Sequence, residues 1–212
     1  MSTAGRSGLV LVGGRSSRMG EDKSRIELGG RTMLEISAGA LEPLVDEILL
    51  LARKDDAPPA PAARIAVHTL HDEAPFEGPL PAIAAGLERA RGSIVLAVAC
   101  DMPLLHTAVL ERIAELLETS EHDAVVPQIG GHAQPLCAAY RAATVAPLLR
   151  AAVSRGERSP LRALDDADVL APGAESFRDL DAEMLSFRSV NDAADLAAVR
   201  KLLAQQGGGA GR

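Results

Sequence analysis

The sequence predicts an α/β protein, a three-layer αβα domain with a mostly parallel sheet. Short continuous apolar runs alternate along the chain with segments of helical periodicity. Runs that are apolar throughout are typical of strands whose two faces are both covered by helices. With 212 residues, the chain most simply forms one domain. We expect this domain to span residues 1–204 and the glycine-rich tail, 205–212, to be disordered.

Short runs rich in aliphatic residues predict the strands. The run 93–99 is apolar from residue 94 onwards, and we therefore expect it at the centre of the sheet. The run 8–12 stops at a pair of glycines, as a buried parallel strand does when it reaches a turn. In chain order the predicted strands are 8–12, 46–51, 65–67, 93–99, 123–127 and 135–140.

Capping signals and periodic apolar positions predict the helices. Thr32 followed three residues later by Glu35 is a capping box, which predicts a helix start at residue 33. Asp192 is placed to cap the last helix, which we expect to end at Ala204. The predicted helices are 33–45, 79–91, 107–118, 142–155, 160–166 and 193–204.

Composition excludes several classes of function. The formal net charge of −7 argues against a non-specific nucleic-acid binder, which usually carries a basic surface. The longest apolar run is far shorter than a membrane span, and no signal peptide is expected at the start of the chain. Cys100 and Cys137 lie in apolar runs without metal-ligand spacing, which predicts buried thiols in a reducing compartment. We expect a cytoplasmic protein.

A glycine-rich turn follows the first predicted strand and predicts a polyphosphate site. Gly13 and Gly14 allow the main chain to approach an anion and to point N–H groups at it. The guanidinium of Arg18 can hold two phosphate oxygens, and the ammonium of Lys23 supplies a second positive charge. The spacing fits neither a Walker A loop nor a dinucleotide-binding fingerprint. The alternative is an ordinary strand-to-helix turn with solvated charges.

Asp101 is the predicted metal ligand. It follows the most strand-like run, and Pro103 prevents that strand from continuing. In parallel sheets, ligands bind at the carboxyl ends of the strands, where a carboxylate can hold Mg²⁺ against phosphate oxygens. The alternative is an aspartate that caps the next helix.

Five ordered segments of the chain carry a family resemblance. They are GGRSSRMGEDK (13–23), EGPLPAIAAGL (77–87), VACDMPLL (98–105), QPLCAAYR (134–141) and SVNDAADL (189–196). Together they resemble the molybdenum cofactor guanylyltransferases, small nucleotidyltransferases with a Rossmann-like fold. The resemblance implies transfer of GMP from Mg-GTP to the phosphate of molybdopterin, with release of pyrophosphate. It also implies transient contact with molybdoenzymes, without nucleic acid or membrane partners.

The same resemblance implies a set of site residues. The implied catalytic residues are Arg18, Lys23 and Asp101. The implied nucleotide-binding residues are Leu11, Val12, Gly13, Gly14, Lys23, Asp72 and Asp101, and the metal ligand is Asp101. The implied acceptor-binding residues are Arg158 and Asn191.

Chemistry supports some of these implied roles. One carboxylate can accept both guanine donors, N1–H and the 2-amino group, and Asp72 is positioned to do so by the resemblance, with Glu73 as the nearby alternative. A phosphate monoester is anionic at neutral pH, so that the transfer needs no general base and depends on positioning and charge neutralisation. Simpler interpretations are a polar loop at Asp72, a solvated Arg158 and an Asx cap at Asn191.

The chain departs from the family pattern at several polar positions, where Leu51, Arg53 and Ser189 replace asparagines and Gln134 replaces a histidine. These changes leave the phosphate and metal residues untouched, but they bear on the identity of nucleotide and acceptor. Two alternatives therefore remain open. One is a cytidylyltransferase or another nucleotidyltransferase acting on the same pterin or on another phosphorylated acceptor. The other is a non-catalytic cofactor-binding protein.

Overall fold

The computed structural model describes residues 5–12, 22–53, 57–72 and 78–207. A seven-stranded sheet with the strand order β11-β7-β10-β6-β1-β4-β5 forms its centre. Its strands are β1 (Arg6–Leu11), β4 (Glu47–Arg53), β5 (Ala66–Asp72), β6 (Ile94–Ala99), β7 (Ala124–Val125), β10 (Cys137–Arg141) and β11 (Val169–Leu170). Two small hairpins lie apart from it, formed by β2 (Glu27–Leu28) with β3 (Arg31–Thr32) and by β8 (Gln128–Ile129) with β9 (His132–Ala133).

The sheet is mostly parallel, as expected. β1 pairs in parallel with β4 and β6, β4 with β5, and β7 with β11, whereas β10 runs antiparallel to both of its neighbours. Every residue of β6 is buried, and this strand lies fourth among the seven. The prediction that the run 93–99 forms the central strand is therefore confirmed.

Helices cover both faces of the sheet and make the three-layer architecture. The helices are α1 (Met33–Leu41), α2 (Pro79–Arg89), α3 (Thr107–Glu118), α4 (Ala142–Ser154), α5 (Pro160–Ala163) and α6 (Ala193–Gly207). α1 and α3 pack on one face of the sheet, and α2 and α4 pack on the other. The buried residues of the two helix pairs accordingly belong to two separate apolar clusters. In β1, Val10 faces the first cluster while Leu9 and Leu11 face the second, as strand alternation requires.

Some predicted boundaries were wrong, for identifiable reasons. β5 is longer than the predicted 65–67, because it lies at the edge of the sheet, where exposed polar residues such as His68 and Thr69 interrupt the apolar run. α1 ends at Leu41 and gives way to a 3-10 turn containing Pro43, which has no N–H to continue an α-helix. α6 continues to Gly207, beyond the predicted end at Ala204.

The two helix caps predicted from the sequence are present in the structure. The side-chain oxygen of Thr32 accepts a hydrogen bond from the backbone N–H of Glu35, and the Glu35 carboxylate accepts one from the backbone N–H of Thr32. Asp192 accepts hydrogen bonds from the N–H groups of Ala194 and Asp195 at the start of α6. Both predicted caps are therefore confirmed.

Both cysteines are buried free thiols. Burial raises the pKa of Cys100 and of Cys137 to about 12, so that neither is a thiolate at neutral pH. Among the residues that the structure describes, no helix is both long enough and apolar enough to cross a membrane.

Candidate active site

Asp101 lies at the carboxyl edge of the central strand, where the sequence predicts it. The backbone passes from β6 into Cys100, whose N–H donates to the carbonyl of Leu11 at 3.1 Å and so extends the pairing of β6 with β1. The carbonyl of Asp101 accepts a hydrogen bond of 2.9 Å from the N–H of Val190. The Asp101 main chain is therefore fixed from the neighbouring strand and from the carboxyl-terminal segment.

Lys23, which ends the segment 13–23 singled out in the sequence, contacts Asp101. It begins a short 3-10 helix that Asp22 caps by accepting a hydrogen bond from the N–H of Ser24. The Lys23 Nζ atom lies 2.8 Å from Asp101 Oδ2, and the two side chains are 11% and 20% exposed. A charged pair this short and this sheltered is a strong hydrogen bond rather than a loose surface contact. The structure thus joins two residues that the sequence singled out separately.

A cavity of about 300 Å³ opens around this ion pair. Lys23 and Asp101 are the only charged residues of its described lining, so that both a cation and a carboxylate face any ligand that enters. The described lining consists of Leu11, Lys23, Pro79, Ala99, Cys100, Asp101, Met102, Gln134, Pro135, Leu136 and Ser189.

Two of the lining residues are positions where the chain departs from the family pattern. Gln134 and Ser189 line the cavity on the side of β10 and the carboxyl-terminal segment. An amide and a hydroxyl stand at these two positions, where the resemblance implies a histidine and an asparagine, and both can donate and accept hydrogen bonds. These two differences therefore change which polar groups face a ligand, but a polar group remains at each position.

The amino-terminal end of α2 borders the same cavity through Pro79. Its N-cap is Gly78, whose φ of +107° is a conformation that favours glycine. A Cβ atom added at Gly78 would lie 3.6 Å from the carbonyl oxygen of Arg158. The backbone of the Arg158 segment is thereby placed beside the entrance to α2, where Glu157 accepts hydrogen bonds from the N–H groups of Arg158 and Ser159.

The predicted acceptor residues lie near the cavity but outside its described lining. Arg158 is exposed, and its backbone N–H donates a hydrogen bond to the Glu157 carboxylate. Asn191 is exposed and donates its backbone N–H to Asp195 at 2.8 Å, while the capping of α6 is carried out by Asp192. The acceptor-binding role of both residues stays a prediction.

The structure describes only some of the predicted nucleotide-binding residues. Leu11 and Val12 are buried at the end of β1, where the N–H of Val12 donates to the carbonyl of Leu51. Asp72 is the last residue of β5 and pairs in register with Arg53, but its side chain lies outside the described part of the structure. The remaining predicted residues outside the described part are Gly13, Gly14, Arg18 and Glu73.

A metal is expected at Asp101, and the donor chemistry fits one. Its carboxylate is a hard oxygen ligand on the cavity wall. Among the described residues no group of three or more histidines, cysteines, aspartates or glutamates could hold a metal ion. A single protein carboxylate suits Mg²⁺, which commonly binds one or two carboxylates together with water and substrate phosphates.

Sequence reasoning missed how the site is assembled. The contact between Lys23 and Asp101 joins residues 78 positions apart, and no pattern in the sequence indicates that their side chains touch. It also missed the lining residues Pro79, Cys100 and Met102 as parts of the cavity wall. The rule that ligands bind at the carboxyl ends of the strands, which pointed to Asp101, applies equally to its neighbours Cys100 and Met102.

Comparison with known proteins agrees with this geometry. Residues 8–168 match the family model described as the MobA-like NTP transferase domain. A probable molybdenum cofactor guanylyltransferase from Chloroflexus aggregans is 33% identical over 203 residues, covering 93% of this chain and 94% of that protein. A molybdenum cofactor guanylyltransferase from Pseudomonas syringae pv. syringae is 35% identical over 164 residues, covering 77% and 80%.

Solved structures support the fold. Molybdopterin-guanine dinucleotide biosynthesis protein A from Archaeoglobus fulgidus superposes with a TM-score of 0.78 at 24% identity, covering 94% of this chain and 99% of that one. A 4-diphosphocytidyl-2C-methyl-D-erythritol synthase from Anaerococcus prevotii gives a TM-score of 0.71 at 15% identity, covering 94% and 98%. The Rossmann-like nucleotidyltransferase fold is thereby confirmed. The chain belongs to the family of MobA-like NTP transferases, and it is a nucleotidyltransferase.

Proposed function

We propose that this protein transfers GMP from GTP to the phosphate of molybdopterin and releases pyrophosphate, with Mg²⁺ as the divalent cation. The observation that carries the proposal is the pair formed by Lys23 and Asp101 in a cavity at the carboxyl edge of the central strand. The relatives named molybdenum cofactor guanylyltransferase support the choice of substrates.

Lys23 and Asp101 have complementary tasks in this reaction. The Lys23 ammonium would leave the Asp101 carboxylate and bind oxygens of the α-phosphate, where negative charge accumulates during the transfer. The Asp101 carboxylate would then be available as the protein ligand of the divalent cation, which would neutralise phosphate charge when bound. The ion pair of 2.8 Å keeps both side chains in place until the nucleotide arrives.

The order of the strands suggests where the base lies. Asp101 follows β6, and Asp72 ends β5, three strand spacings away, or about 14 Å. A nucleotide with its phosphates over β1 and β6 would therefore extend its base towards the ends of β4 and β5. We assign recognition of the guanine N1–H and 2-amino group to the carboxylate of Asp72.

The acceptor would approach from the opposite side of Asp101. Gln134 and Ser189 line the cavity there, and the backbone of the Arg158 segment lies beside the start of α2. We assign hydrogen bonds to the pterin to Gln134 and Ser189, and contacts with its phosphate to Arg158 and Asn191. Because the acceptor phosphate is already anionic, the site needs no general base. We place the reaction in the cytoplasm, which suits the two free thiols, with the product passing to a molybdoenzyme.

The proposal is tested by following both products. The purified protein is incubated with molybdopterin, Mg²⁺ and one of the four nucleoside triphosphates at a time. The dinucleotide is identified by mass spectrometry, and the released pyrophosphate is quantified. We expect a guanine dinucleotide and pyrophosphate in equal amounts with GTP, and loss of both in Asp101→Ala. Asp179→Ala, which removes a carboxylate that is 61% exposed and pairs with Arg112, is the matched control and should react normally. Absence of any dinucleotide with the wild type would refute the proposal.

Cytidylyl transfer is the second candidate. It is favoured by the loss of family asparagines at Leu51 and Arg53, at the carboxyl end of β4, where the base is expected to lie. Formation of the cytosine dinucleotide in the same experiment would keep the transfer chemistry and replace the assigned nucleotide.

A further inference from the structure

The loop that carries Asp101 is attached at both of its ends to one other segment. The loop, 101–106, follows Cys100 at the end of β6 and leads into α3. At its start the Asp101 carbonyl accepts the N–H of Val190 at 2.9 Å. At its end the N–H of His106 donates to the Ser186 Oγ atom at 3.1 Å. The position of the Asp101 carboxylate therefore depends on the segment 186–190.

A buried aspartate holds that segment. Asp181 is 5% exposed, and its two carboxylate oxygens accept hydrogen bonds from the N–H groups of Leu185 at 2.9 Å and Ser186 at 2.7 Å. Burial alone would raise the pKa of Asp181, but these N–H groups and the Ser186 hydroxyl outweigh it, so that the pKa lies below its usual value. The carboxylate is thus a charged, fully engaged anchor for the turn.

The turn between Asp181 and Ser186 is strained in a way that such an anchor explains. Met184 adopts the left-handed conformation, with φ of 54° and ψ of 36°, which non-glycine residues rarely take. Its N–H donates to the carbonyl of Asp181 at 3.1 Å. Phe177 precedes the turn in the sequence and Phe187 follows it, and their rings pack with centroids 5.4 Å apart. Strain of this kind persists where surrounding contacts hold it, and it is concentrated at functional sites.

We propose that Asp181 is a positioning residue for nucleotidyl transfer. Through Ser186 it fixes the segment 186–190, which holds both ends of the Asp101 loop and places Ser189 in the cavity wall. Asp181 is buried outside the described lining of the cavity, and it acts by keeping the Asp101 carboxylate and the Ser189 hydroxyl in fixed positions relative to one another. The inference rests on the role proposed for Asp101.

Hydrogen exchange tests the proposal without any activity measurement. Asp181→Ala and Ser186→Ala should each raise the exchange rate of backbone amides in the peptide 101–106 about tenfold, since the N–H of His106 loses its fixed acceptor. Asp181→Asn keeps one carbonyl oxygen and should give a smaller increase. The matched control is Asp179→Ala, two residues away and exposed, which should leave this peptide unchanged.

Kinetics then separates positioning from general stability. We expect Asp181→Ala and Ser186→Ala to lower kcat by about 10- to 100-fold while KM for GTP changes less than about twofold, and Asp181→Asn to retain more activity than Asp181→Ala. If Asp181→Ala does not fold, Ser186→Ala provides the test, because it removes only one hydroxyl.

Two results would overturn the inference. A folded Asp181→Ala or Ser186→Ala protein with wild-type exchange in 101–106 and wild-type kcat would show that the contacts do not position the loop. An equal loss of kcat in Asp179→Ala would show that the effect is not specific to the buried aspartate. If the wild type transfers no nucleotide, the proposed function fails and with it the catalytic part of the inference, whereas the exchange measurement still decides whether Asp181 and Ser186 hold the Asp101 loop.

Discussion

The contact between Lys23 and Asp101 should appear as a coupling free energy in metal-free solution. At 2.8 Å and an effective dielectric constant of about 20, the Coulomb attraction is about 6 kcal/mol. Most of it is offset by lost hydration, since the side chains are only 11% and 20% exposed. Hydrogen bonds to charged groups retain about 1.5–3 kcal/mol net. We therefore expect a coupling free energy of about 2 kcal/mol.

The assay is a double-mutant cycle. Urea unfolding of the wild type, Lys23→Ala, Asp101→Ala and the double variant, with chelator present, gives four free energies of unfolding from which the coupling is obtained. The coupling should fall only slightly in high salt, because the pair is sheltered from solvent. A coupling below about 0.5 kcal/mol, the value of an exposed ion pair, would refute the argument.

Two further predictions concern the scaffold. Gly86→Ala should lower the free energy of unfolding by about 1–3 kcal/mol, because the new Cβ atom would lie 2.5 Å from a methyl group of Leu9; an unchanged melting temperature would contradict the close packing of α2 on β1. Glu118→Gln should cost about 0.5–1 kcal/mol at pH 7, since the hydrogen bond from Arg6 lowers the pKa of the Glu118 carboxyl. That difference from the wild type should disappear as the pH falls through this lowered pKa, and a difference that persists in acid would exclude the ionised pair as its cause.

Much of the fold could be predicted because its signals are local. The capping box of Thr32 and Glu35 and the wholly apolar run of β6 each lie within a few residues. β5 was underestimated because its length is set by pairing with β4, which the intervening chain does not reveal. The end of α6 at Gly207 was also missed, three residues beyond the predicted end at Ala204.

The sequence indicated two residues that line the candidate site, but not their contact. Motif spacing and the end of an apolar run indicated Lys23 and Asp101, whereas their direct contact depends on the path of the chain between them. No sequence motif marks Asp181. Its carboxylate accepts hydrogen bonds from two backbone N–H groups that only the folded turn brings close to it. Arg18 and the guanine-binding role of Asp72 stay predictions.

We propose that this site binds GTP together with a divalent cation, and that Asp101 is the protein ligand of that cation. Calorimetric titration of the wild type and Asp101→Ala with GTP, CTP, ATP and UTP, each with and without Mg²⁺, tests this binding. We predict selective binding of GTP that strengthens with Mg²⁺ in the wild type, and loss of that Mg²⁺ dependence in Asp101→Ala. Nucleotide binding that is indifferent to the base, or a Mg²⁺ effect that survives the loss of Asp101, would contradict the account.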